Sequence, residues 1–325
     1  MKKSFVLSCL ATTLLSMAIL NAHASCGSTF CSVNTHWDTQ GMVNDGLRVD
    51  LRYTYARADT PRVGTNKVTN DPALAAPGDE VENLRTVNQS LNIDFDYAID
   101  HQWNIAVDVP LVMRDHAHTI APDTVEQRKF TELGDIRVAG SYKFGRTDHA
   151  TGSGLRFGLK LPTGRTNWEL VPGAGQAERS LQPGTGSTDA ILGIYHHEGV
   201  ANTPWGWFVS GQVQTALTSH DGYRPGNTVN LDAGASYILG PSVTGLLQLN
   251  AQFNERDSGV NANPHSGGRS ISLGPGLGIA VAPQTKLYGL VQLPIYQYAN
   301  PDPAGGPSGL LTAPWSLSLG ISQMF

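Results

Sequence analysis

The ionisable side chains of this chain fall into rows. Within 91–97, LNIDFDY, the polar Asn92, Asp94 and Asp96 alternate with Leu91, Ile93, Phe95 and Tyr97. Arg48, Asp50 and Arg52 form a second row. Asp108 lies in a third, Arg137 and Lys143 in a fourth, Arg156 and Lys160 in a fifth. Asp189, Asp232, Gln248, Asn250 and Gln252 extend the pattern. Residues two apart in an extended chain share a face. The rows therefore put charges of both signs on one face. The chemistry they offer is electrostatic: pairs that fill an interior, or a wet path that selects solutes.

Other constellations are weaker. His116 and His118 would share a strand face and reach one metal ion, but no third ligand is fixed. Cys26 and Cys31 are close in sequence, and in an oxidising compartment a small disulfide loop is the default. Redox or metal chemistry there lacks the Cys-x-x-Cys spacing. Ser, His and Asp are present, but no G-x-S-x-G elbow organises them for lipid hydrolysis. Gly184-Thr185-Gly186-Ser187 has no Lys of a phosphate loop and precedes no helix, so its expected role is strand entry. No residue pattern calls for a cofactor.

Elements that position such rows must be strands. Lys2 and Lys3, the apolar 5–20 and the Ala22-His23-Ala24 pattern read as a signal peptide over 1–24, removed on export. Thereafter alternation recurs in 91–97, 103–109, 136–144, 155–161, 229–233, 247–253 and 315–325. Shifting a register by one would put carboxylates on the apolar face. About 12 strands are predicted, an even number as a single-chain barrel needs. They begin near Gly46, Leu84, Trp103, Glu132, Gly154, Gly184, Trp205, Asn227, Val243, Arg269, Thr285 and Pro314. Long links, such as 59–83, 116–131 and 164–183, alternate with tight turns at Asp100-His101, Gly240-Pro241 and Pro283-Gln284. Trp103, Tyr142, Phe144, Trp205, Trp207, Tyr237, Tyr296, Tyr298 and Trp315 fall near strand ends, as interfacial girdles require. A soluble sandwich also alternates but has no need of such girdles. In lipid an open sheet edge would strand its amides, so the sheet must close. The expected fold is all-β: a closed antiparallel transmembrane barrel over 46–325. An N-terminal segment, 25–45, lies in the periplasm or lumen and carries the Cys26–Cys31 loop.

The bulk numbers agree. Of 325 residues 15% are charged, the formal charge is −5, and no basic block suggests nucleic acid. No segment after the signal is apolar and long enough for a spanning helix.

Glu132-Leu133-Gly134-Asp135, Leu161-Pro162-Thr163-Gly164 and Pro183 to Asp189 (PGTGSTD) stand in one order. That order resembles the MetA pathway of phenol degradation family of outer-membrane proteins, relatives of FadL-like transporters. The terminal Phe325 resembles the assembly signal of outer-membrane barrels. The family resemblance implies a roughly 12-stranded barrel that takes up aromatic or other hydrophobic compounds, and it carries no catalytic residues. The Cys26–Cys31 segment is outside the family pattern. Locally, Pro162 fits a strand end, Gly164 a turn, and Gly184 and Gly186 backbone angles closed to other residues.

The expected protein is an outer-membrane channel for small solutes, in contact with outer-membrane lipids. Its lumen would be lined by Arg48, Asp50, Arg52, Asp94, Asp96, Asp108, Arg137, Arg156, Lys160 and Asp232. Leu159 would face lipid and Gly158 the lumen, so Arg at 158 would be tolerated better than at 159 if the lumen is roomy. One alternative is a scaffold whose Cys26–Cys31 segment docks a periplasmic protein partner. Another is a lipid-acting enzyme.

Overall fold

The computed structural model describes residues 45–69, 80–120, 124–144, 151–169, 177–263, 265–303 and 309–325. The signal segment and both cysteines, Cys26 and Cys31, lie outside these. In chain order the strands are β1 (Leu47–Ala58), β2 (Thr60–Val63), β3 (Asn66–Lys67), β4 (Glu80–Ala98), β5 (Trp103–Ile120), β6 (Thr124–Leu133), β7 (Arg137–Lys143) and β8 (Thr151–Lys160). They continue as β9 (Asp189–Gly199), β10 (Trp205–Ala216), β11 (Thr228–Gly240), β12 (Val243–Asn254), β13 (Gly268–Ala282), β14 (Thr285–Ala299), β15 (Leu310–Thr312) and β16 (Ser316–Met324).

Antiparallel pairing runs from β4 through β1, β16, β14, β13, β12, β11, β10, β9, β8 and β7 to β5, and β5 pairs back onto β4. The sheet is therefore a closed barrel. β6 and β7 are two pieces of one wall strand, since β5 pairs with β6 over 111–120 and with β7 over 103–108. Counted so, the wall has twelve strands. The pairing of the first strand, β1, with the last, β16, makes the closure: Arg52 opposes Gly320 and Tyr53 opposes Leu319.

The alternation read from the sequence sorts the two faces. On β1, Arg48, Asp50, Arg52 and Thr54 are buried inside, while Leu51 is exposed outside. Phe95, Ile105, Phe157, Leu159, Leu192, Leu231, Leu249 and Leu319 are likewise exposed on the outer wall. An exterior of Leu, Ile and Phe around a polar interior inverts a soluble protein and matches a barrel solvated by lipid. At the tight-turn end Trp103 packs on Tyr142 with ring centroids 4.8 Å apart, and Trp205 on Tyr237 at 4.7 Å. Tyr55 and Trp315 meet at 5.6 Å toward the other end. These are the two girdles. At the turn between β4 and β5, Asp100 Oδ1 accepts the Gln102 and Trp103 amides at 2.7 and 2.8 Å.

Three expectations change. The stretch 116–131, read as a loop, is a hairpin that prolongs the wall as the ends of β5 and β6. The strand expected from Glu132 starts instead at Thr124 and breaks over 134–136. β9 begins at Asp189, so the long link after β8 reaches from 161 to 188 and takes Gly184 with it. Within the sheet β6 pairs with β5 alone, because β8 stops at Lys160. A second, small sheet of β15, β2 and β3 folds over the rim, packing Leu311 and Ala313 on the inward Ala56 and Ala58.

Candidate functional site

The barrel encloses a cavity of about 490 Å³. Its wall is written in cross-strand rungs. Asp50 on β1 opposes Asp94 on β4, which opposes Asp108 on β5. Asp108 opposes Arg137 on β7, which opposes Lys160 on β8, which opposes Asp189 on β9. Six neighbouring strands thus contribute one belt of ionisable groups. Alternation alone placed each of them inward; register alone made them neighbours.

Low dielectric makes unpaired charge costly, and the belt is mostly paired. Arg48 Nη2 lies 2.7 Å from Asp96 Oδ2, Arg52 Nη2 3.5 Å from Asp94 Oδ2, and Arg137 Nη1 3.2 Å from Asp108 Oδ2. The Tyr288 hydroxyl donates to Asp50 Oδ1 at 2.7 Å. Asn92 and Asn104 donate to Asp108 and Asp96 at 2.8 and 3.1 Å. Nine of the ten expected lumen residues line the cavity: Arg48, Asp50, Arg52, Asp94, Asp96, Asp108, Arg137, Arg156 and Lys160. Asp232 is buried on β11 away from it, where it accepts from Ser210 at 3.2 Å and from Asn250. Around Asp232 the wall is one of amides and hydroxyls, with Gln292 donating to Asn250 at 2.8 Å.

The three short motifs meet at one point. Asp135 accepts the amides of Gly164 and Thr185 at 3.0 and 2.9 Å. Lys160 Nζ sits 3.5 Å from Asp135 and 2.8 Å from Asp189, and also donates to Thr185 and Ser187. Ser187 donates to Asp189 at 2.6 Å. This network pins Gly164 and Thr185, at the two ends of the link 161–188, against the inner wall. Arg179, Ser180, Gln182 and Pro183 then form part of the cavity wall. Arg114 Nη1 donates to the Ser180 carbonyl at 2.7 Å, and Phe130 packs with Trp168, Ala177 and Leu181.

Two glycine roles differ from expectation. A Cβ on Gly164 would lie 2.7 Å from Gly184 Cα, and one on Gly184 would lie 2.6 Å from the Gly164 carbonyl oxygen. Close backbone contact, not an unusual angle, excludes side chains there. Gly186 alone of these has a positive φ, +73°. Ser187 and Thr185 serve the Lys160 network rather than strand entry. Gly158 faces inward but has no room, since a Cβ would meet the Val138 carbonyl oxygen at 2.5 Å.

His116 and His118 are buried on the inner face of β5 and stack at 5.5 Å. His116 Nδ1 lies 2.9 Å from Thr86 Oγ1. Among the described residues no group of three His, Cys, Asp or Glu side chains is arranged to hold a metal. A Ser–His contact does exist outside the lumen, with Ser153 Oγ 2.6 Å from His196 Nδ1. Glu198 stands 3.9 Å from His196 Nε2, too far for the hydrogen bond that would orient a catalytic base. Sequence reading missed Asp135, Arg114, Arg179, Gln182 and Tyr223. The Gly-Asp pair was visible as a motif, but only the folded barrel sets Asp135 beside Lys160 and the Gly164 and Thr185 amides.

No protein-family model matches the chain, and neither does any curated protein. Among solved structures, the chain is similar to an outer membrane channel from Pseudomonas putida F1, at 10% identity over 88% of this chain and 98% of that one, TM-score 0.63. It also aligns with the Ralstonia pickettii toluene transporter TbuX, at 8% identity over 88% and 91%, TM-score 0.44. A FadL homologue of Pseudomonas aeruginosa aligns at 11% identity over 86% and 91%, TM-score 0.43. The first of these supports the barrel fold.

Proposed function

We propose that this chain is an outer-membrane channel for small solutes, hydrophobic and aromatic ones among them. The carrying observation is the pairing of an apolar outer wall with an interior cavity lined by ionisable side chains. Such a wall crosses a bilayer, and such an interior selects what passes. Arg179, Ser180, Gln182 and Pro183, from the link after β8, form part of the lumen wall and would contact a passing solute. Relatedness in fold to a Pseudomonas putida outer membrane channel is consistent with this reading. In this reading 1–24 is a signal removed on export, and the apolar outer wall then seats the barrel in the outer membrane. The 25–45 segment, with its Cys26–Cys31 loop, is proposed as a plug or a docking point for a periplasmic partner. The reading includes no chemical step.

The test is single-channel conductance in a planar bilayer, for the chain from Ser25 and for one lacking 25–45. Steady current through the longer chain identifies an open pore. Current only after the deletion identifies a plugged one. Silence from both, with correctly folded protein inserted, sinks the channel reading.

A further inference from the structure

We infer that the lumen cavity binds a small amphiphilic carboxylate, its anion on Arg156 and its apolar body on a floor of Ala106, Ala139, Gly158 and Ile191. The inference takes its meaning as a transport site from the channel reading and names that channel's solute class.

The floor is a single rung. Ala106 opposes Ala139, Ala139 opposes Gly158, and Gly158 opposes Ile191. Ala106, Ala139 and Ile191 line the cavity. Strands stand about 4.8 Å apart, so four of them make a strip about 14 Å across. Neighbouring rungs lie about 7 Å away along the strands. On one side is the rung of Asp108, Arg137, Lys160 and Asp189. On the other is that of Asn104, Ser141, Arg156 and Gln212, with Gly193 between the last two. The floor is thus an apolar hollow between two polar rungs, shallow because its side chains are small. Water gains little by staying on such a surface, and an apolar body that covers it is favoured.

Arg156 supplies the second half. Arg48, Arg52, Arg137 and Arg179 each stand against an aspartate. Arg114 donates to a backbone carbonyl. Arg156 also lines the cavity, yet engages in no hydrogen bond or ion pair among the described residues. Its neighbour Gly193 places no side chain over it. The acids nearest the floor, Asp96, Asp108 and Asp189, are held by Arg48, Arg137 and Lys160, and the first two also by the amides of Asn104 and Asn92. They therefore present little net repulsion to an incoming anion. A planar guanidinium matches a carboxylate in two parallel hydrogen bonds. A neutral arene would cover the floor and leave Arg156 unmatched. A bare small anion would match Arg156 and leave the floor wet. An aromatic acid satisfies both.

The experiment is calorimetric titration of the purified full-length protein in detergent with benzoate, benzyl alcohol and acetate. Benzoate should bind most tightly, and Arg156→Gln should weaken it by roughly tenfold or more, the size of one charge-assisted contact. Ala139→Leu, which fills the hollow, should weaken benzoate and leave acetate unchanged. Intact heat-modifiable migration of each variant confirms a folded barrel. No benzoate binding, or equal binding by Arg156→Gln, overturns the inference. Liposome flux of a small neutral solute separates the two readings. Flux without benzoate binding keeps the channel and removes the site; binding without conductance or flux keeps the site and removes the channel.

Discussion

Lys160 shows how much one side chain carries here. Its ammonium is buried between Asp135 and Asp189, and it stands in the wall while Asp135 holds the infolded link. Lys160→Met would leave two buried carboxylates without their cation, a loss on the order of 3–5 kcal/mol. The expected result is a lower unfolding temperature by heat-modifiable gel shift, with partial recovery in Lys160→Met/Asp135→Asn. An unchanged midpoint would show that the network does not hold the link. Adjacent residues on β11 test the inside–outside assignment. Leu231 is exposed on the outer wall and Asn230 lines the cavity. Leu231→Arg should cost about 2–4 kcal/mol near the midplane, Asn230→Arg far less. Leu159→Arg belongs with the first. Gly158 is a poor control despite facing inward, because even Ala there meets the Val138 carbonyl. Equal refolding yields for the two β11 variants would contradict the assignment.

At the scale of elements, the loops that follow β10 and β12 are joined through Asp257. Its Oδ1 accepts the Gly226 amide at 2.9 Å, and its own amide donates to Ser266 Oγ at 2.9 Å. Burial pushes its carboxyl above the ordinary 3.8, although the Gly226, Tyr223 and Ser266 hydrogen bonds pull the other way. A raised carboxyl favours the packed loops in its protonated form. That contribution is complete below pH 3.8 and is lost as pH rises through the raised value. Hydrogen exchange over 218–227 should therefore be better protected in acid, after correction for intrinsic rates. Asp257→Asn should flatten the dependence. A pH profile unchanged by Asp257→Asn would assign the effect elsewhere. The same scale explains why 116–131 was misread. Its charges Glu126, Arg128 and Lys129, with Asp115 just before it, looked like a solvated loop. In fact they sit on a hairpin, where Asp115 takes Lys129 at 3.2 Å and Gln127 at 2.7 Å across the pair. Cross-strand pairing satisfies such charges as well as water does.

For the whole molecule, strand number, closure and the separation of faces were legible before any coordinates. Every second residue in 91–97 or 155–161 is apolar, and period two is a local property that fixes which face meets lipid. Aromatic side chains at strand ends and the impossibility of an open edge in lipid completed the barrel. The motifs around Asp135, Gly164 and Thr185 were visible as words, but not their meeting. Residues 135 and 185 are joined by hydrogen bonds that no spacing rule encodes. The sequence by itself therefore determined that Asp50, Asp94, Asp108, Arg137 and Lys160 point inward. Only the tertiary structure decided that they form one belt, that an apolar rung runs beside it, and that Arg179, Gln182 and Pro183 reach the lumen wall. The physical reason is that facing follows from alternation within a strand. Rung partnership follows from the stagger between strands, which is set only when the barrel closes.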